Sequence, residues 1–268
     1  MSVEQTPVGR GVRLVGARGM AGVREVGRVT LMYHDVLKSL GRWPSMRLLF
    51  DQMDRIGVGS LGLVVVISLF TGAVAAVQAA YQFSNVVPLK YIGAVILRSV
   101  IIELGPVLTA LVVGGRVGAA IAAELGSMKV TEQIDALRAM GVNPVRYLII
   151  PRIVAATVML PVMTVFSNAI AIFGGFLVAV FSIGVTPVTY VNGLKDFFYL
   201  KDLLSGLIKA LCFGNIIGTM GCFYGFRTEG GAEGVGTATT RAVVSSCVFV
   251  LILDYLLASV LFRIIFAE

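Results

Sequence analysis

With 268 residues, of which 57% are hydrophobic and only 14% charged, the chain does not read as a soluble globular domain; soluble domains carry roughly 25% charged residues. A mean hydropathy of +0.91 points instead to helices surrounded by lipid. The net charge of +7 is clustered: nine of the 22 basic residues precede Ile56, which is not the footprint of a nucleic-acid-binding face. Lys129, Arg138, Arg146 and Arg152 form a second basic group. The positive-inside rule, assisted by anionic headgroups, assigns such clusters to cytoplasmic segments.

Residues 1–22 are rich in Gly and Arg and are expected to form a flexible cytoplasmic tail. A transit peptide would also be Arg-rich, but here the basic pattern continues past any cleavage point. From 23 to 56, apolar residues recur at helical spacing opposite charged ones, with Tyr33 and Trp43 as amphipathic anchors. That pattern predicts a helix lying in the membrane interface.

No charged side chain occurs between Arg55 and Lys90, which predicts a first span over about 57–80 and a polar turn after it. A second span, about 91–119, contains Glu103. Hydrophobicity then breaks in ELGSMKVTEQIDALRAMGVNPVRY, where Glu124, Lys129, Glu132, Asp135 and Arg138 alternate with Val130, Ile134, Leu137 and Met140. A short amphipathic helix over about 124–141 follows, stopped by Gly141 and Asn143-Pro144.

From Tyr147 to Ile183 the apolar run would reach about 55 Å as one helix, more than one untilted crossing needs. It reads either as a single kinked helix or as a hairpin turning near Ser167-Asn168 or Gly174-Gly175. Two further spans are expected at about 203–226 and 242–266, separated by the Gly-rich loop RTEGGAEGVGTATTR. Residue patterning alone therefore gives five or six crossings.

Motifs narrow the chemistry. Cys212, Cys222 and Cys247 lie in apolar stretches without metal-ligand spacing, and His34 is the sole histidine, so no metal site is expected. GxxxxGK[ST] is absent, and the loop GAEGVGTATT lacks both a preceding strand and the lysine of a phosphate cradle. Glycines 214, 218, 221 and 225 form a small-residue stripe suited to close helix packing. Glu103 stands out, because a carboxylate within a span must face a partner or a watery cavity. Lys209, two turns beyond Asp202 on the fourth span, is its expected partner.

The stretch ELGPVLTALVVGGRVGAAIAAELGSMKVTEQIDALRAMGVNPVRYLIIPR resembles the signature of MlaE-type (YrbE-type) permeases. EGVGTATTRAVVSS before the last span and RIGVGSL entering the first add to the likeness, which covers about residues 40–265. The resemblance implies an all-α integral membrane fold with an N-terminal interfacial helix and five transmembrane helices, the whole of 23–268 forming one permease domain. It resolves the long apolar run as one helix. It further implies a multi-pass protein of the bacterial inner membrane, working as a homodimer around an outward-opening lipid cavity.

Partners implied by the resemblance are a cytoplasmic ABC ATPase dimer, often a small STAS-domain protein, and a periplasmic MCE-domain hexamer. ATP would be bound by the ATPase, leaving this chain without a cofactor or catalytic residues and with no part in nucleic-acid binding. Glu103, Leu104, Gln78 and Lys209 are expected to contact phospholipid. Glu132, Asp135 and Arg138 are expected to rim the ATPase contact, with Ile134 and Leu137 as its apolar anchors; helix-in-groove docking suits such a segment. Transport of this kind serves outer-membrane lipid asymmetry.

Three positions depart from the family pattern: Ile102 replaces a frequent Arg before the membrane Glu, Asp51 precedes Gln52 where a base is common, and Thr237 replaces a frequent Arg. Arg98, five residues before Glu103, would point elsewhere on a 3.6-residue helix. A rival from another class is an ion- or proton-coupled secondary transporter relaying through Glu103, Lys209 and Asp254, since intramembrane ionisable groups suit that chemistry too.

Overall fold

In the computed structural model, the described residues are Met20, Arg24, 27–39, 46–83 and 91–265. The expected tail at 1–22 (Met20 apart), Trp43 and the turn at 84–90 lie outside them. The chain divides into two compact units, Met1–Trp43 and Pro44–Glu268. The first contains helix α1 at 27–39, where Leu31 and Leu37 are exposed.

Among its described residues, the second unit is built of helices joined by short turns, with no strand. Short helix α2 (Met46–Ile56) meets α3 (Val58–Phe83) at Gly57. Leu49 and Ile56, seven residues and so two turns apart, bury the apolar face of α2, while Met46 and Phe50 stay exposed. The second long helix is built in pieces: α4 (Ile92–Ser99), α5 (Gly105–Val113) and α6 (Ala119–Val130) are joined by π-helical turns at Val100–Leu104 and Gly114–Gly118. After α7 (Gln133–Ala139), a third π turn at Val145–Ile149 leads into α8 (Ile150–Phe181). Then come α9 (Pro187–Asp196), α10 (Leu200–Phe226) and α11 (Gly231–Ile265).

Five stretches are long and apolar enough to cross a membrane: Met46–Gln82, Ile92–Val130, Val145–Phe181, Leu200–Phe226 and Gly231–Arg263. The long apolar run is thus one helix, and the hairpin alternative drops out. It continues through Pro161, although proline cannot donate to the carbonyl four residues back. Hydroxyls in the spans turn inward on their own helices, as Thr71 to Ile67, Thr164 to Leu160 and Ser246 to Ala242. Lipid offers no alternative acceptor, so each such bond removes a desolvation cost.

Close backbone approach holds the spans together. α3 crosses α8 where Gly72 lies against the Ala171 carbonyl and Gly174 against the Leu69 carbonyl; a Cβ on either would overlap the facing main chain. Ser68 and Ser167 hydrogen-bond across the same contact at 2.8 Å. α10 is the central helix, packing on α8, α6, α5 and α11. Its glycine stripe faces those neighbours: Gly214 meets Ala156 of α8, and Gly221 and Gly225 meet Ile121 and Ala122 of α6. α11 is the least enclosed, with Val244, Val248, Leu251, Ile252 and Tyr255 exposed.

Three local features differ from the sequence expectation. The helix expected over 124–141 is broken, because α6 runs on to Val130 and a turn at Thr131-Glu132 precedes α7. Glu132 there has φ +57°, a left-handed conformation invisible to periodicity. The Gly-rich segment expected as a loop over 227–241 is helical from Gly231 onward. Gly230 and Gly231, at φ +87° and +69°, make the turn. Thr237, Thr239 and Thr240 then bond back to the carbonyls of Gly234 and Gly236, while Ala238 and Ala242 are buried by neighbours, so packing overrides low glycine propensity. Finally, α9 was not expected. Thr186 caps it, and Tyr190 fastens it to α8 by donating to the Ile172 carbonyl at 3.0 Å.

Candidate functional site

The site grows from the π turn at Val100–Leu104. A π turn closes i to i+5 instead of i to i+4, which brings residues five apart back toward one face. Arg98 and Glu103 therefore both reach α10, yet on different partners, so Arg98 is not the base that pairs with Glu103, as expected. Arg98 Nε donates to Asp202 Oδ2 at 3.0 Å, and its guanidinium lies 5.7 Å from the Tyr199 ring centroid. One level deeper, Lys209 Nζ lies 2.5 Å from Glu103 Oε1 and 3.1 Å from Asp254 Oδ1 of α11.

Lys209 is the centre of this cluster and is fully enclosed, at 0% exposed. The Glu103 and Asp254 side chains keep 42% and 20% of their surface open. Nine residues of α10 separate Lys209 from Leu200, so the cluster lies about 14 Å inside that end, near the middle of a 30 Å hydrocarbon layer. One ammonium against two carboxylates leaves a formal surplus of one negative charge, and Glu103 presents it to the open side. The cluster can hold α10 to its neighbours and still offer an acceptor to a polar group entering from that side.

The structure brings Glu103 and Lys209 together and adds Asp254, but it does not gather all four residues expected at the lipid site. Leu104, one residue on, packs against the apolar cluster that contains Ala76, Ile96 and Val100 and is not part of the ion group. It also lines a small cavity of about 10 Å³ with Ser68, Thr109 and Ser167. Gln78 lies on an exposed face of α3 and takes no part in the ion cluster.

The loop after α6 is locked by its own charges. Asp135 accepts from Lys129 at 2.8 Å and from Arg138 at 2.9 Å, while Arg138 also stands 5.8 Å from the Phe226 ring. The Lys129 hydrogen bond is the main reason the Asp135 carboxyl sits below its usual value of 3.8. Ile134 is 0% exposed, so it anchors the loop onto this chain and is not free to dock elsewhere; that part of the expectation is corrected. Leu137 is half-buried, whereas Glu132 and Met140 are exposed.

A second charge group at the same end was missed from sequence. Glu124 is shared by Arg152 at 3.0 Å and Arg55 at 3.3 Å, and Arg152 is itself buried. Arg116, within the π turn Gly114–Gly118, donates to Ser60 Oγ at 2.7 Å. The signal was the one that exposed Glu103: a charged residue inside an apolar helical run. Among the described residues, no group of three or more His, Cys, Asp and Glu could hold a metal.

A bundle of five membrane-length helices with a polar cluster near the middle of its depth defines a multi-pass membrane protein of the transport class. Residues 49–260 match the family profile described as Permease MlaE. A probable ABC transporter permease protein of Rickettsia typhi is 38% identical over 94% of this chain and 97% of its own length. A protein of the same description from Synechocystis is 39% identical over 80% of this chain and 81% of its own. The chloroplastic protein trigalactosyldiacylglycerol 1 of Arabidopsis thaliana is 36% identical over 92% of this chain and 69% of its own. The chain belongs to the MlaE permease family.

Proposed function

We propose that this chain is the membrane-spanning permease subunit of an ABC transporter that moves phospholipid between the bacterial inner membrane and a periplasmic MCE-domain protein. It works as a homodimer beside a cytoplasmic ATPase dimer, with a STAS-domain protein as a further partner. The observation that carries the reading is the Lys209 cluster, because Glu103 offers a half-open carboxylate near the middle of the membrane within an MlaE-family chain. Relatives described as probable ABC transporter permeases support an ATP-driven mechanism, and a relative named for a galactolipid supports a lipid cargo. The basic loop end, with Lys129, Arg138 and Arg146, faces the cytoplasm in this reading.

In mechanism, the ATPase bears on the exposed side of the loop around Glu132 and Met140. The salt-bridged loop transmits the push through α6 and α10, to which Arg138 and Phe226 join it. The two global states such coupling requires are a lipid cavity open to the periplasmic side and one collapsed. The ion-relay alternative draws on the same three residues, Glu103, Lys209 and Asp254. Reconstitution separates the two: labelled phospholipid should leave proteoliposomes only with ATPase and ATP present. Transfer by this chain alone under a proton gradient would favour the relay.

A further inference from the structure

A cleft of about 520 Å³ opens at the loop end of the bundle, between α2, the start of α3 and the second span, well apart from the Lys209 cluster. Arg55 and Arg116 line it, and buried Arg152 stands behind Glu124. Against these three cations stand Asp54 and Glu124, and Glu124 is already engaged by Arg55 and Arg152. Arg116 meets no carboxylate among the described residues. Its guanidinium donates to Ser60 Oγ at 2.7 Å and reaches the Arg55 main-chain carbonyl at 3.5 Å, both neutral acceptors.

The local backbone is shaped around that guanidinium. Arg116 sits in a π turn, where the helix widens. Opposite, Gly59 leaves the space the guanidinium fills, since a Cβ there would come within 2.7 Å of Arg116 Nη2. The cleft wall combines polar and charged residues, Gln52, Arg55 and Glu124, with apolar ones, Val58, Val117 and Ile121. A wall that is part charged and part apolar, beside the start of the first span, suits a headgroup joined to acyl chain.

We propose that this cleft binds the phosphate of a membrane phospholipid, with Arg116 as its fixed contact and Arg55 closing over it. Guanidinium and phosphate match in charge and in fork geometry, so the pair is favoured over a lysine-type contact. An anionic leaflet surface at this end would keep the site supplied. The lipid is a resident at the loop end and is distinct from any cargo at Glu103.

Native mass spectrometry of the detergent-purified full chain tests this with two probes sharing acyl chains, dioleoyl phosphatidylglycerol and dioleoyl monogalactosylglycerol. The phosphatidylglycerol adduct should be retained at least about tenfold better, the scale of one charge-assisted contact. That preference should fall about tenfold in Arg116→Gln, fall less in Arg55→Gln, and persist in Glu103→Gln. Arg55 is 66% exposed, so its substitution leaves folding intact even if Arg116→Gln does not fold. Equal retention of the two lipids by the unaltered chain would overturn the proposal, as would an unchanged preference in both arginine variants. Saturation of the arginine-dependent site by inorganic phosphate without lipid would overturn its assignment to a lipid headgroup.

Discussion

At the scale of single residues, the Lys209 cluster shows what a charge inside the membrane requires. Lys209 is buried from every side, so its ammonium must be paired. It has two acids, and that excess makes the three members unequal. Neutralising Glu103 leaves Lys209 held by Asp254; removing Lys209 leaves two carboxylates facing each other. Lys209→Met should therefore cost about 3 kcal/mol, the low end for a broken buried pair because the Glu103 side chain is only partly enclosed. The loss should appear as poor recovery of monodisperse protein. Lys209→Met combined with Glu103→Gln and Asp254→Asn should restore it; no recovery in the triple variant would show that shape, not charge, is limiting. Asp135 behaves differently. Its carboxyl is depressed chiefly by the Lys129 hydrogen bond, so its contribution is present above the usual carboxylate value and lost as pH falls through the lower folded one. Amide protection across 127–140, measured relative to the intrinsic exchange rate at each pH, should stay unchanged from pH 7 to pH 5. Opening within that range would mean that the Lys129–Asp135–Arg138 bridge does not hold the loop.

Helices and loops were unequally legible in the sequence. Apolar length and the gaps between charges placed four of the five crossings, because lipid imposes a strong and uniform requirement on every spanning segment, but left the run at 147–183 open between one helix and a hairpin until the family resemblance resolved it. The Glu103–Lys209 partnership was also legible, since each is an ion that its surroundings cannot leave alone. Arg98–Asp202 was not, for a physical reason: an ideal 3.6-residue periodicity misplaces residues on either side of a π turn, and nothing in VIIEL announces one. The same blindness split the expected 124–141 helix at left-handed Glu132 and left Ile134 misread as an outward anchor. In the Gly-rich 231–241 segment, propensity lost to packing against buried Ala238 and Ala242. Where packing decides, small residues become sensitive points. Gly174→Leu would drive a side chain into the Leu69 carbonyl and force α3 from α8. A lower thermal midpoint in detergent should follow, while Gly62→Leu, beside open space, should leave it near the original. On the exposed side of the loop, Met140→Glu should reduce ATPase recovery in a pull-down without loss of folded permease. Unchanged recovery would remove Met140 from the docking surface.

For the molecule as a whole, five crossings place the two ends of the bundle on opposite sides of the membrane. With the basic loop end in the cytoplasm, a reporter fused after Glu268 should be active only in its periplasmic form. The fold then sets the loop proposed to meet the ATPase at one end, the arginine-lined cleft beside it, and the Lys209 cluster nearer the other. Coupling between them can pass along α10, which meets the loop where Arg138 stands over Phe226 and carries Lys209 into the ion cluster. The claim on which this arrangement depends is that Glu103 meets the transported lipid. Because Asp254 continues to neutralise Lys209, Glu103→Gln separates that role from folding. The decisive measurement is ATP-dependent phospholipid transfer by the reconstituted complex carrying Glu103→Gln. Normal assembly and ATPase recovery are expected, with transfer at least about tenfold slower, the scale of one lost charge-assisted contact. Full transfer by a normally assembled Glu103→Gln complex would contradict that claim and leave the cluster a purely structural tie between helices.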